Sequence, residues 1–240
     1  MQVIYLTLLT IAASTLGTVT GFGISTIMVP IVLLFLPFPQ TLLLVGVIHW
    51  FGDIWKMLLF KKGLNWKIIL SFGIPGILAA SLGARLVIEL PESLLSRFVG
   101  ILLLGYVIYL FLNPSFKTKP TTLSGVLGGM GSGFLGGLTG VGGGALRSIV
   151  LTAFNLPKEI YIFTSGVLGF AIDASRIATY FLEGIKINQN LSLGLILFIP
   201  ASFLGAKIAQ KIVNKIPQGT FRKIVGVFLL AVGLKFALWP

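Results

Sequence analysis

The residues best placed to do chemistry in this sequence are few. Thr20-Gly-Phe-Gly-Ile-Ser-Thr26 and Leu138-Thr-Gly-Val-Gly-Gly-Gly-Ala145 each place small residues where an apolar helix would begin. A helix N-terminus presents free N–H groups and a partial positive charge, and glycine lets an anion approach them closely. Gly21, Gly23 and Ser25 in the first run, and Gly140, Gly142, Gly143 and Gly144 in the second, are therefore candidates to hold an anion. Arg147 follows the triple glycine by three residues, inside an otherwise uncharged stretch, and a guanidinium matches an oxyanion with two donors. Asp53 with Lys56, and Asp173 with Arg176, are spaced i,i+3 and so share a helix face, with His49 one turn before Asp53. Carboxylates beside an imidazole are the material of a proton or gating relay. Thr164 and Ser165 interrupt an apolar stretch with hydroxyls that can donate to an oxyanion.

Each of these has a purely structural alternative. Small residues let membrane helices pack closely, and Gly128, Gly129, Gly131, Gly133, Gly136 and Gly137 read as serving only that purpose. An arginine near a helix end can snorkel to water. The Asp/Lys and Asp/Arg pairs can be internal salt bridges, His49 a packed side chain, and the Thr164 and Ser165 hydroxyls can bond back to their own helix.

The elements that must position these groups follow from composition. Of 240 residues, 56% are hydrophobic and only 10% charged, with 18 Lys+Arg against 6 Asp+Glu. A soluble domain carries about 25% charged residues, and a chain of this size could not hide so much apolar surface from water. Soluble enzymes, nucleic-acid binders and disordered tails are thereby excluded. No charge occurs before Asp53, and further uncharged runs cover 68–84, 98–116, 120–146, 187–206 and 224–234. Strands of alternating polarity are lacking, so helices must span the bilayer. The net charge of +12 sits mostly in short loops, where it sets orientation and attracts anionic lipid. The first positive residue is Lys56, which argues against a cleaved signal peptide.

The chain reads as a duplication. Thr20-Gly-Phe-Gly23 matches Thr139-Gly-Val-Gly142, and Asp53-Ile-Trp-Lys56 matches Asp173-Ala-Ser-Arg176. Gly63 matches Gly184, Leu82-Gly-Ala-Arg matches Leu204-Gly-Ala-Lys, and the segment 91–100 matches 217–226, all in the same order. The expected repeats are 1–113 and 121–240, joined by a Pro/Lys linker at 114–120. Each opens with an apolar stretch, 3–36 or 122–155, too long for one crossing, which predicts two short helices folded back at the glycines. Three spans follow in each, about 41–60, 67–90 and 95–112, then 159–181, 188–212 and 221–238. Positive charge gathers at 61–67 in the first repeat (Lys61, Lys62, Lys67) but at 207–223 in the second (Lys207, Lys211, Lys215, Arg222, Lys223). By the positive-inside rule both loops are cytoplasmic, which predicts an inverted repeat with both termini outside. A parallel repeat of four spans is the alternative.

One histidine and no cysteine give no metal-ligand cluster along the chain, and no cofactor is expected. No phosphate-binding loop and no convincing catalytic triad are present, so neither ATP-driven transport nor an enzyme is expected.

With the duplication, Thr-Gly-Val-Gly-Gly-Gly at 139–144 and its weaker copy at 20–25 resemble the signature of the sulfite exporter TauE/SafE family. Gly63 and Leu82-Gly-Ala-Arg resemble later landmarks of that repeat, so the likeness covers both halves. It implies an all-α transporter of a bacterial inner membrane, moving sulfite, sulfonates or related organosulfur anions. By matching position, Gly140, Gly142, Gly143 and Gly144 would line the central site, opposite Gly21, Gly23 and Ser25. Phe22 and Ile24 depart from the Gly-richer family pattern and would narrow the pocket. The expectation is a secondary transporter with a small anionic substrate near the midplane, where Arg147, Thr164 and Ser165 help to bind it. His49, Asp53, Asp173 and Arg176 would couple or gate, with protons as coupling ion, lipids around the chain, and a homodimer allowed. The competing expectation is a membrane scaffold with no substrate.

Overall fold

The computed structural model describes residues 1–20, 23–60, 63–112, 120–154, 156–212, 227, 230–231 and 233–239. Among these the secondary structure is helical: α1 (Gln2–Thr20), α2 (Ser25–Val32), α3 (Phe38–Leu59), α4 (Trp66–Glu89), α5 (Glu92–Leu112), α6 (Thr122–Thr139), α7 (Gly142–Ala153), α8 (Lys158–Leu182) and α9 (Gln189–Ile212). A further helical stretch at 233–238 ends the expected last span, 221–238, most of which lies outside the described residues, as do Lys61, Lys62, Lys215, Arg222, Lys223 and nearly all of the linker 114–120. Six of the described helices, α1, α3, α4, α5, α8 and α9, are long and apolar enough to cross a membrane. The protein is an all-α integral membrane protein.

Local chemistry sets the boundaries. Pro37 and Pro157 precede α3 and α8, where a fixed φ favours a helix start. The Asn65 side chain accepts from the Ile68 N–H at 3.2 Å to open α4, and Thr121 with Ser124 forms a capping box for α6. Gly63 and Gly184, matched positions of the repeat, both end their hairpins with positive φ, +72° and +80°.

Both glycine-broken segments fold back on themselves. After α1 the chain turns through Gly23 (φ +84°), and α2 lies against α1. A Cβ on Gly17 would sit 2.6–2.9 Å from the Gly23 and Ile24 backbone. Thr10 of α1 reaches Met28 Sδ of α2 at 3.7 Å. After α6 the chain turns at Gly140 (φ +70°), and Ser132 Oγ donates to the Gly143 carbonyl at 2.7 Å. The arms are unequal, however, rather than two short helices. α1 has 19 residues against 8 in α2, and α6 has 18 against 12 in α7. The chain breaks at Gly23 and Gly140, just past the middle of each apolar stretch, and the second arm of each hairpin ends before the stretch does.

Helix pairing crosses between the repeats. α1 lies along α9, α6 lies along α4, and α3 packs on α8. The list maps onto itself when α1, α3 and α4 are exchanged with α6, α8 and α9. The α4–α6 seam is the tightest: Gly129, Gly133 and Gly137 press directly on the carbonyls of Phe72, Gly76 and Ala80, where any Cβ would collide. The α1–α9 seam uses hydroxyls instead, Ser14 Oγ donating to the Ser202 carbonyl at 2.6 Å and Thr15 Oγ1 to that of Gly205 at 3.1 Å. Between α3 and α8, Trp50 stacks on Phe170 at 5.0 Å, and its indole N–H donates to the Phe170 carbonyl at 3.1 Å. This central pair carries most of the ionisable residues of interest.

Candidate functional site

The two helix breaks meet. Thr26 Oγ1 at the start of α2 lies 3.5 Å from the Val141 carbonyl, just before α7. Beside this junction, α3, α7 and α8 bring together six ionisable side chains that are each at most 4% exposed: His49, Asp53, Lys56, Arg147, Asp173 and Arg176. Charges removed from water this completely must find partners or face a heavy penalty.

Most of them do. Lys56 Nζ donates to Asp53 Oδ1 at 2.7 Å, and Arg176 Nε donates to Asp173 Oδ1 at 2.7 Å, each within its own helix at the i,i+3 spacing. His49 stands between these pairs. Its Nδ1 is 2.9 Å from both Asp173 Oδ2 and Ser25 Oγ, while its Nε2 is 3.7 Å from Asp53 Oδ1. Arg176 Nη2 also reaches Ser25 Oγ at 3.4 Å. The first residue of α2 is thus tied to the second repeat's carboxylate pair through an imidazole from the first.

Arg147 is different. Its Nε donates to Ser165 Oγ at 3.2 Å, but among the described residues no carboxylate lies within ion-pair distance of it; its Nη2 has no hydrogen-bond partner, which is also true of Arg176 Nη1. Thr164, fully buried beside Ser165, also leaves Oγ1 without a partner. Among the described residues of the cluster, three basic side chains, Lys56, Arg147 and Arg176, stand against two carboxylates, which leaves Arg147 without an acidic partner.

The glycines divide into two kinds. Gly23 faces the His49 imidazole, and a Cβ on Gly140 would meet Leu42 and Val29 at 2.8 and 3.1 Å, with Arg176 Nη1 behind them at 3.6 Å. Gly142 and Gly143 turn instead toward neighbouring helices. A Cβ on Gly142 would meet Leu135 and Leu102, and one on Gly143 would meet the Ser132 carbonyl and the Gly136 backbone. Gly144 is buried, and Gly21 lies outside the described residues. The first N–H groups of α7 are already used, since Val141 and Gly142 donate to Thr139 Oγ1 at 3.3 and 3.2 Å. Thr139 caps that helix, a role its position just before a helix start makes legible in sequence.

Gly169 is the position that the motif search passes over. A Cβ there would collide with the Asp53 carboxylate and lie 2.9 Å from Arg147 Nη2. The signal was available: the 120-residue offset that maps Asp53 onto Asp173 maps His49 onto Gly169.

His49, Asp53 and Asp173 also bring ligand atoms within 4.8 Å of one another, a grouping that the scarcity of ligands along the chain does not anticipate. The donor set suits a proton better than a metal. The two ring nitrogens face different carboxylates, whereas an imidazole offers a metal only one of them. Lys56 and Arg176 already occupy one oxygen of each carboxylate. On the other faces of α3 and α8 an apolar crevice of about 640 Å³, lined by residues including Trp50, Phe51, Ile177 and Phe181, carries Lys186 and Ser192 at its α9 side. It does not include the buried cluster.

A protein of Methanocaldococcus jannaschii named as a probable membrane transporter is 30% identical over 190 residues, 70% of each chain. A Bacillus subtilis protein, likewise named as a probable membrane transporter, is 28% identical over 102 residues, covering 42% of this chain and 36% of its own. The model of the sulfite exporter TauE/SafE family matches residues 6–236, nearly the whole chain. With its folded-back glycine breaks and all-helical membrane architecture, the chain belongs to the sulfite exporter TauE/SafE family.

Proposed function

We propose that this membrane transporter is a secondary transporter for a small organosulfur or sulfite-like anion, which it carries across the plasma membrane and binds at Arg147. The observation that carries this reading is the surplus cation: Arg147 is 2% exposed, lacks a carboxylate partner among the described residues, and keeps a free guanidinium nitrogen. An anion balances that charge. Ser165 fixes the guanidinium from the far side, and the Thr164 hydroxyl supplies a further donor. Gly140, next to Arg176 at the junction of the breaks, extends the anion's surroundings toward α2. The family description, sulfite exporter, supports an oxyanion of sulfur as the substrate class.

Coupling to protons belongs to the same proposal. His49 joins groups from both repeats, with its two ring nitrogens facing Asp173 and Asp53. The crossed pairing of α1 with α9 and α6 with α4 suits an inverted repeat, with both termini outside and one half rocking against the other. The closed cluster corresponds to an occluded state in such a cycle.

The test is a thermal-shift screen of the purified protein against sulfite, sulfate, thiosulfate, sulfoacetate, taurine and simple carboxylates, with Arg147→Ala alongside. Binding to the folded state at a hundred times Kd stabilises by about 2.7 kcal/mol. One class of anion is expected to raise Tm in the native protein and not in the variant. Silence toward every anion, or a shift retained in the variant, would overturn the reading and favour a scaffold whose glycines serve only packing.

A further inference from the structure

Release of a tightly held anion raises a difficulty that the geometry around Gly169 answers. Once the anion leaves, Arg147 is a buried guanidinium without a counter-ion, a state that opposes release. Asp53 is the carboxylate placed to relieve it. Its Oδ1 is held by Lys56, but its Oδ2 is fully buried and has no hydrogen-bond partner. That free oxygen and the free Arg147 Nη2 flank the same face of Gly169, each too close to where a Cβ would stand for one to fit without a shift.

Gly169 is not a helix-packing glycine of the ordinary kind. Its neighbour one turn away, Gly166, shows what such a glycine meets: the Asp53 backbone carbonyl at 3.1 Å and the Lys56 Cβ at 3.1 Å. The space at Gly169 is bounded instead by the ends of two charged side chains. A side chain here would not hold helices apart. It would stand between a carboxylate and a guanidinium.

We propose that Gly169 is a positioning residue that keeps open the gap between Asp53 and Arg147, so that Asp53 replaces the substrate as the counter-ion of Arg147 when the anion departs. This rests on the reading that Arg147 receives the anion, and it adds the step that empties the site. Anion and Asp53 compete for one guanidinium, and the competition weakens binding while speeding turnover.

The experiment is anion affinity by titration and transport in proteoliposomes, using whichever anion of the screen binds, for the native protein, Gly169→Ala, Asp53→Asn and Arg147→Ala. Gly169→Ala is expected to fold, since alanine favours helix and the obstructing atoms are side-chain ends. With the competitor separated, Kd is expected to fall by about fivefold while maximal flux falls by about tenfold, the scale of ordinary coupling between sites. Asp53→Asn, which removes the competing charge without adding bulk, is expected to move both quantities in the same directions. A lesion that was merely structural would raise Kd and lower flux together. Unchanged or weaker binding in Gly169→Ala, with binding abolished in Arg147→Ala, would overturn the exchange step and leave the anion site standing. Binding retained in Arg147→Ala would overturn both.

Discussion

Asp53 and Asp173 are equivalent residues of the repeat, each buried, each paired at 2.7 Å with a cation three residues on. What faces them from the other repeat differs. Asp173 is met by His49 at 2.9 Å, together with the Ser25 hydroxyl from the start of α2. Asp53 is met across Gly169, the counterpart of His49, by a guanidinium that is itself unpaired. One half-site holds an imidazole; the other holds a guanidinium. The repeat carries two similar carboxylate pairs, and under the proposed function the difference at one equivalent position, histidine against glycine, would separate a proton-coupling half from an anion-binding half. A perfectly symmetric cluster could not assign these tasks to different places.

The largest expected effect comes from breaking the pairs. Asp173→Asn leaves Arg176 without its carboxylate, and removal of one partner from a buried pair costs about 3–5 kcal/mol. Asp53→Asn strands Lys56 in the same way but loses less at the imidazole, because His49 is 3.7 Å from Asp53 and 2.9 Å from Asp173. Unfolding in lipid or detergent should rank Asp173→Asn below Asp53→Asn, and both below the native protein. Equal losses would mean that His49 contributes nothing to the difference.

An intermediate effect is expected at His49. His49→Gln keeps a polar group beside Asp173 and removes the titrating one. The dependence of anion flux on a pH gradient should fall to near zero, while anion affinity at fixed pH stays within about threefold, less than the loss of one full hydrogen bond to a charged group. Flux that still follows the gradient would move the coupling away from this half-site.

The smallest effects should separate the two hydroxyls. Ser165→Ala removes the acceptor that orients Arg147, and should weaken anion binding by about tenfold. Ser25→Ala removes the contact shared by His49 and Arg176, and should shift the pH profile of flux with little change in affinity. The same response from both variants would show that the halves are not functionally distinct.

Much of this was legible along the chain. The i,i+3 pairs, the solitary Arg147, and the Ser165 and Ser25 hydroxyls were all visible as polar residues in apolar surroundings, where every such residue needs a reason. The packing role of Gly129, Gly133 and Gly137 followed from the excess of small residues, and the structure seats them on α4 carbonyls. The unequal arms of the hairpins were less legible. Length says that a segment must break, while the position of the break depends on which glycine takes positive φ. Gly142 and Gly143 looked like Gly140 in sequence. Only the fold shows that α5 and α6 fill the space they leave, while Gly140 lies against α2 and α3 with Arg176 just beyond.

The sequence by itself determined the solvent, the helical class, the duplication and the identity of nearly every buried charge. Those depend on composition, on periodicity and on the cost of charge in an apolar medium, all of which act locally. The tertiary structure alone decided which charges meet. His49 and Asp173 lie 124 positions apart, and Ser25 and Arg176 lie 151 apart. Distance along the chain carries no information about ion pairing between helices, because the pairing is set by how α3, α7 and α8 pack around the two breaks. Whether a buried charge is balanced or left over is therefore a property of that packing, and it is the leftover charge that points to a function.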